Sequence, residues 1–157
     1  MEVIYREEQV ESTSKKLNLS KQLVACILNN YIAYLKELIE QGKSVKFLNI
    51  CYLRVEGDLN NRELETLAYI ATEIGSYLDV GGSVVLRVLK CFEDQVLETL
   101  KAEKGFSVRG LVRIKLSPTV NGDKLRIRKS TVYNNKDVYV ITLCSFRRKF
   151  EYALSAT

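Results

Sequence analysis

The chain has 157 residues, of which 46% are hydrophobic and 27% charged, with a formal net charge of +5. This length and composition suffice for one ordinary domain or two very small ones with a hydrophobic core. Apolar runs are far too short to cross a bilayer, and residues 1–6 lack the pattern of a signal peptide. We therefore expect an intracellular protein, or one assembled inside a cell, with no membrane partner.

The chain contains no histidine, so it lacks the commonest general base and the commonest zinc ligand. Its four cysteines form no C-x-x-C pair, which favours small buried thiols over metal ligands or disulfides. Serine and cysteine nucleophiles therefore have no histidine partner. We expect a protein that is not an enzyme and that has no metal, no cofactor and no small-molecule substrate. The cysteines are Cys26, Cys51, Cys91 and Cys144.

Charge is distributed unevenly along the chain. Residues 104–149 contain twelve Lys and Arg residues against Asp123 and Asp137, a net +10, which leaves −5 for the remainder of a chain whose total is +5. A basic part beside an acidic part suggests a polyanion partner, or a protein subunit that meets charge with opposite charge.

The first third of the chain predicts two helices and two strands. Residues 3–17 predict a short helix. Ser20 is a favourable N-cap, apolar residues then recur at three- and four-residue steps, and Gly42 follows the last of them, which predicts a long helix. Residues 44–55 alternate like two short strands joined by a bend near Asn49.

The next part predicts a second pair of helices. Residues 62–74 have the spacing of an amphipathic helix, which Gly75 is expected to close. Gly81-Gly82 then forms a link to another long helix with a regular apolar face. Ser83 is the expected N-cap of that helix and Gly105 its expected end.

The order of elements therefore repeats along the chain. Residues 106–115 predict a strand, a bend and a strand, as after the first long helix. Tyr31 matches Phe92 and Leu35 matches Val96, an offset of roughly 60 residues that indicates an internal duplication. The alternative is a plain helical domain whose periodicity is accidental.

The stretch from the start of the first long helix to the second strand resembles the core of the HU/IHF family of DNA-bending proteins. That family has a leucine-serine-lysine step, a long helix ending in glycine, and a valine- and phenylalanine-rich strand pair. Two family glycines are replaced here, by Asn49, which tolerates positive φ, and by Cys51. The matching positions are Leu19-Ser20-Lys21, Gly42 and the strand motif at residues 45–55.

This resemblance implies an α+β fold with two tandem HU/IHF-like repeats, each with a short helix, a long helix and a small antiparallel sheet. The repeats are expected at residues 1–57 and 58–157. HU/IHF proteins are intertwined dimers, so the two repeats either cover each other within one chain or pair with repeats of neighbouring chains.

HU/IHF proteins also carry β-ribbon arms, whose basic residues neutralise phosphates and whose tip proline wedges base pairs apart. The first repeat has no room for an arm after Val55. In the second, residues 117–123 resemble the tip and residues 124–129 the return strand, so arms are expected to be absent or truncated. Pro118 is the only proline, and a simple hairpin turn at Asn121-Gly122 is favoured over intercalation.

The last part of the chain predicts a second hairpin at residues 131–143, turning at Asn134-Asn135, and a closing helix at residues 146–154. The basic residues of that helix form either a phosphate clamp or a solvated face. Alternation along the strands is expected to give a basic stripe. The candidate DNA-binding residues are Arg113, Lys115, Pro118, Lys124, Arg126, Arg128, Lys129, Arg147, Arg148 and Lys149.

Two functions follow from these expectations. The leading hypothesis is a structural protein, because tandem, arm-poor relatives of IHF resemble proteins of tailed bacteriophages, including the crAss-like group. It implies a place in the portal–neck–tail (head–tail connector) region of a virion assembled in the host cytoplasm, with further copies or neck and tail proteins as partners. The alternative is a free architectural protein of the cytoplasm or nucleoid that contacts the backbone of double-stranded DNA.

Overall fold

The computed structural model describes residues 2–3, 7–58, 65–101, 106–108, 111–119, 122–127, 131–133 and 136–142. These residues form helices and strands in one α+β arrangement, which confirms the predicted fold class. The elements in order are β1 (Glu2–Val3), α1 (Glu7–Leu17), α2 (Lys21–Glu40), β2 (Val45–Phe47), β3 (Cys51–Val55), α3 (Leu67–Leu78), α4 (Gly82–Lys101), β4 (Phe106–Val108), β5 (Val112–Thr119), β6 (Gly122–Ile127), β7 (Thr131–Tyr133) and β8 (Lys136–Thr142).

Helix α1 is shorter than the sequence predicts. It begins at Glu7, with Glu8 beside it in the first turn, where carboxylates favour the positive end of the helix dipole. The residues before it, expected to be helical, include β1, which pairs in parallel with β4 through Glu2 and Phe106. A strand partner more than 100 positions away leaves no trace in local periodicity, so the predicted helix start at residue 3 was wrong.

Helix α2 begins and ends where the sequence predicts. The hydroxyl of Ser20 accepts a hydrogen bond of 3.2 Å from the amide of Leu23, as an N-cap does. Gly42 has a φ of 81°, and the amide of Lys43 donates to the carbonyl of Leu38 over 2.9 Å. This is the Schellman arrangement, in which a left-handed residue ends the helix and satisfies its last carbonyls.

Helix α3 differs from its prediction at both ends. It begins after Thr66, whose hydroxyl accepts a 3.1 Å hydrogen bond from the amide of Tyr69, and it continues through Gly75 to a left-handed Asp79. A Cβ at Gly75 would lie 2.5 Å from the carbonyl oxygen of Val80. The glycine is therefore required by the close approach of the connection to α4 and does not stop the helix.

The predicted cap of α4 is also shifted. The helix begins at Gly82, and the carbonyl of Gly81 accepts hydrogen bonds from Val84 (3.0 Å) and Val85 (3.3 Å). Ser83 therefore lies inside the first turn and not at the N-cap, which Gly81 occupies. The predicted end of this helix, Gly105, lies outside the described residues.

Strands β2 and β3 form the predicted hairpin, with Phe47 paired to Cys51. The left-handed residue in its turn is Leu48, with a φ of 49°, and not Asn49 as the family pattern suggested. Leu48 is buried, and its amide donates a 2.7 Å hydrogen bond to the hydroxyl of Tyr31. This tertiary contact holds a leucine in a conformation that its own side chain disfavours.

The strands are arranged in two four-stranded sheets. One sheet has the order β2-β3-β8-β7 and the other β1-β4-β5-β6. Strand β8 runs antiparallel to β3, from Cys51 opposite Thr142 to Val55 opposite Val138. A strand from the end of the chain therefore completes the sheet begun in its first third.

Both halves of the chain contribute to one hydrophobic core. The ring of Phe47 lies 6.4 Å from that of Tyr31 and 6.3 Å from that of Phe92, the latter edge-on. These aromatic side chains are at most 1% exposed, and Val108 and Leu111 pack in the same cluster. The two long helices thus bury their apolar faces against each other and against both hairpins.

Several features of residues 14–50 recur 61 residues later, the difference between residues 21 and 82 at the starts of α2 and α4. Both helices have 20 residues. The amide of Leu19 donates to the carbonyl of Ser14 over 3.0 Å, and that of Val80 to Gly75 over 2.8 Å. Buried residues also recur in pairs, namely Val24 and Val85, Ile27 and Val88, Leu28 and Leu89, Tyr31 and Phe92, Leu35 and Val96, and Ile50 and Leu111.

Candidate functional site

Four of the candidate DNA-binding residues are brought together by the register of the β5–β6 ribbon. Lys115 is opposite Arg126, Ser117 is opposite Lys124, and Arg113 lies two residues before Lys115. Alternate positions of a strand share a face, and directly opposed positions share it too. The four basic positions therefore lie on one face of the ribbon, which we call the basic ladder: Arg113, Lys115, Lys124 and Arg126.

The ribbon continues beyond the sheet from which it starts. Strand β4 pairs with β5 as far as Ile114, whereas β5 and β6 pair for five further rows, to Thr119 opposite Gly122. At ~3.3 Å per residue these rows extend about 16 Å. Strands β5 and β6 therefore form a short two-stranded ribbon that projects beyond its sheet.

Pro118 does not occupy the end of this ribbon. It is paired with Asp123, one row before the last pair, Thr119 and Gly122. Gly122 is thus a strand residue and not the second turn residue, as the predicted Asn121-Gly122 turn required. Proline has no amide hydrogen to donate, which is tolerated here because β4 pairs only with the first residues of β5.

The remaining candidates lie outside the described residues. They are Arg128, Lys129, Arg147, Arg148 and Lys149, together with the closing helix predicted at residues 146–154. The hairpin predicted before them is present, with Tyr133 opposite Lys136. Its predicted turn, Asn134-Asn135, lies outside the described residues.

A second feature, which the sequence analysis missed, is a groove between α2 and α3 with a volume of about 430 Å³. We call it the acidic groove, because its lining includes two glutamates and, among these described residues, no basic side chain. Its lining residues are Asn30, Ala33, Tyr34, Glu37, Glu73, Ile74 and Tyr77.

Tyrosines and carboxylates meet along the rim of this groove. The hydroxyl of Tyr34 donates a 2.6 Å hydrogen bond to Glu65, and burial together with that carboxylate raises the pKa of Tyr34 well above its ordinary value. The charge of Glu73, followed by partial burial, likewise raises the pKa of Tyr69. Tyr69 is 50% exposed and Tyr77 is 80% exposed. Large aromatic surfaces in contact with water are thus placed beside negative charge.

The contact between α1 and α4 contains a buried cluster of hydrogen-bonded polar side chains. The side-chain amide of Gln95 donates a 2.7 Å hydrogen bond to the hydroxyl of Thr13, which is 1% exposed. The thiol of Cys91 lies 3.6 Å from the same hydroxyl, and the Gln95 amide also reaches the carbonyl of Gln9 over 3.4 Å.

The described cysteines are free thiols, as the sequence predicts for them. Cys51 and Cys91 are buried and Cys26 is half-buried, whereas Cys144 lies outside the described residues. Burial raises the pKa of the Cys51 thiol far above its ordinary value. Within the described ranges, no three Cys, Asp or Glu side chains are grouped so as to hold a metal ion.

None of the helices that the structure describes combines the length and the hydropathy needed to span a bilayer. Compared with protein-family models, curated protein sequences and solved structures, the chain matches none of them.

Proposed function

We propose that this chain is a duplicated, single-chain HU/IHF-like protein that serves as a non-enzymatic structural block in a larger assembly. The 61-residue recurrence supports the duplication, because it extends to features that periodicity alone does not produce. The hairpin turns are an example, since the amide of Ile50 donates to Phe47 over 3.1 Å and that of Leu111 to Val108 over 2.9 Å. Asn18 and Asp79, also 61 residues apart, share a φ of 55°.

The observation that carries the proposal is the shared core of the two halves. Each HU/IHF-like half exposes an apolar helix face that a partner must cover. Here the face around Tyr31 and the face around Phe92 are covered within one chain, with Phe47 packed between them. Strand β8 likewise supplies the first sheet with a third antiparallel strand, as β6 does for the second. We infer that the chain acts as its own dimer. Among the residues whose burial is described, the exposed large hydrophobic side chains are Tyr69 and Tyr77.

The assembly role rests on that surface and on the family resemblance. The arms that grip DNA are lost from the first half and reduced to a short ribbon in the second, while the core is kept. Residues 104–149 carry +10 and the rest of the chain −5, which gives the chain oppositely charged regions suited to contacts between subunits. The head–tail connector of a tailed bacteriophage is the setting that the resemblance implies, with further copies or neck and tail proteins as partners.

A second candidate function is binding to the backbone of double-stranded DNA. It is favoured by the basic ladder, which places four cationic positions on one face of a ribbon. Such a face neutralises phosphates without distinguishing bases, so binding would weaken steeply with salt.

Light scattering of the purified protein, with and without a short duplex, tests these functions. The assembly role predicts a defined mass of several copies that the duplex leaves unchanged. A single-copy mass at every concentration, with salt-dependent binding of the duplex, would instead support the DNA-binding candidate. A single-copy protein that neither binds the duplex nor joins larger particles would exclude both functions.

A variant with three reversed charges tests whether DNA binding depends on these particular residues or only on the net positive charge of the protein. Arg126→Glu, Arg128→Glu and Lys129→Glu together are expected to abolish the gel shift if the second candidate is right. The matched control reverses three exposed charges on the helices, Lys16, Arg87 and Lys90. Equal loss in both variants would show that net charge, and not the ribbon, accounts for binding.

A further inference from the structure

The two helix–helix contacts that should be equivalent in a duplicated protein have different chemistry. Helix α1 packs on α4, and 61 residues later α3 packs on α2. The first contact contains the buried polar cluster around Thr13, whereas the second is the acidic groove. The corresponding positions are Ser12 and Glu73, Thr13 and Ile74, Lys16 and Tyr77, Gln95 and Tyr34, and Glu98 and Glu37.

These differences remove the groups that close the α1–α4 contact. Ile74 cannot accept the hydrogen bond that Thr13 accepts from Gln95, and Tyr34 turns its hydroxyl to Glu65. Lys16, which is exposed on α1, corresponds to Tyr77 on α3, which lines the groove. The result is an open groove with aromatic walls and carboxylates at its edge.

Such a groove has the chemistry of a site for a cationic side chain. Glu37 and Glu73 can each accept charge-assisted hydrogen bonds, for which the planar guanidinium of arginine is best suited. Tyr34 and Tyr77 provide ring faces to which a cation or its aliphatic stem is attracted. A volume of about 430 Å³ accommodates one or two long side chains but is small for a folded element.

The complementary surface is present on the same chain. The basic ladder lies on β5 and β6, which pack mainly against each other, β4 and β8, whereas α3 packs against α4 and α2. The ladder therefore belongs to a different region of the molecule from the groove. Residues 104–149 carry +10 and the rest −5, so two copies attract each other when the ladder of one faces the groove of the other.

We propose that the acidic groove between α2 and α3 binds the basic ladder of a second copy of this chain. The inference rests on the proposed assembly role and specifies its subunit contact. Because groove and ladder are different surfaces, the contact is head-to-tail, and it produces a ring if the rotation closes and a filament if it does not.

Charge reversal on each side of the contact provides the test, with sedimentation velocity as the measurement. One variant carries Glu37→Lys and Glu73→Lys, and the other carries Lys115→Glu, Lys124→Glu and Arg126→Glu, which changes the ladder from four positive charges to a net −2. In either variant alone, the net charges of groove and ladder have the same sign and the two surfaces repel each other. Self-association is therefore expected to weaken at least tenfold. When the two variants are mixed, the groove of each can meet a ladder of opposite charge on the other variant. Association is then expected to return.

The control is Glu98→Lys, because Glu98 is the counterpart of Glu37 on the α1–α4 side and is also exposed. It reverses one acidic charge outside the groove, half of the change made in the groove variant, and should leave self-association unchanged. Circular dichroism spectra of all variants are expected to match the wild type. A variant that fails to fold is replaced by Tyr77→Ala, which removes one groove wall at a site that is 80% exposed.

Carbodiimide cross-linking of a mixture of ¹⁴N- and ¹⁵N-labelled copies identifies the contact directly. The expected product joins Glu37 or Glu73 of one isotope to Lys115 or Lys124 of the other. Self-association that survives both variants would overturn the groove contact and leave the assembly role intact. A wild type that never self-associates would overturn the contact too. Capture of an added arginine-rich peptide by that single-copy protein would assign the groove to another partner.

Discussion

The amide of Leu48 donates a 2.7 Å hydrogen bond to the hydroxyl of Tyr31, and this contact joins the long helix α2 to the turn between β2 and β3. Both residues are buried, and burial raises the pKa of Tyr31 well above its ordinary value, so the hydroxyl stays protonated. The corresponding residue 61 positions later is Phe92, which has no hydroxyl. The hydrogen bond is therefore a feature of the first half alone.

Tyr31→Phe is expected to destabilise the fold by ~1–3 kcal/mol, because it leaves the buried amide of Leu48 without an acceptor. Steric effects are small, since phenylalanine is already present at the corresponding position in α4. Urea denaturation followed by circular dichroism measures the change. Tyr77→Phe, at a side chain 80% exposed, is the control and should stay within about 0.5 kcal/mol of wild type. Equal effects in the two variants would contradict the assigned role.

Gly75→Ala tests whether this glycine is required by packing. Within a helix, alanine is favoured over glycine by up to ~1 kcal/mol, so helix propensity alone predicts stabilisation. The structure predicts the opposite sign, by about 1–3 kcal/mol, because the new Cβ would lie 2.5 Å from the carbonyl oxygen of Val80 and 3.1 Å from the amide nitrogen of Gly82. Ser76→Ala, at the next and exposed position, should be nearly neutral. A more stable Gly75→Ala protein would show that the connection to α4 shifts easily.

A double-mutant cycle at Thr13 and Gln95 measures the polar contact between α1 and α4. Thr13→Val alone removes the acceptor of a 2.7 Å hydrogen bond and should cost about 1–3 kcal/mol. In the described structure, the buried Oε1 atom of Gln95 has no hydrogen-bond partner, so Gln95→Leu removes an uncompensated polar atom as well as a donor. The double variant should therefore be less destabilised than the sum of the two changes, by roughly 0.5–2 kcal/mol. Additive effects would indicate that the two side chains do not interact.

The rate at which each described thiol reacts with an alkylating reagent is expected to depend on how deeply that thiol is buried. The raised pKa of Cys51 keeps its thiol protonated at pH 9, and the thiolate is the form that alkylating reagents attack. Brief alkylation at that pH, followed by peptide mass mapping, should label the half-buried Cys26 well before Cys51. In denaturant both should react equally fast. Rapid labelling of Cys51 in the native protein would show that its strand opens readily.

Local sequence determined the elements whose ends depend on their own residues. The cap at Ser20, the stop at Gly42 and the presence of the hairpins were predictable because N-caps, left-handed glycines and alternating strands act within a few residues. The turn predicted at Asn121-Gly122 was wrong, since Gly122 pairs with Thr119. The apolar faces that were predicted to need covering are buried. The resemblance to HU/IHF proteins and the functions drawn from it stay predictions.

Tertiary structure decided the features that depend on distant residues. Gly75 resembled a helix stop, yet it is required by the neighbouring chain at Val80, and the positive φ lies at Leu48 because Tyr31 holds its amide. The pairing of β1 with β4 and of β8 with β3, and the groove between α2 and α3, have no local pattern at all. Periodicity records which face of an element is buried. Which distant element covers that face, and what gap remains between them, is determined only when the chain packs.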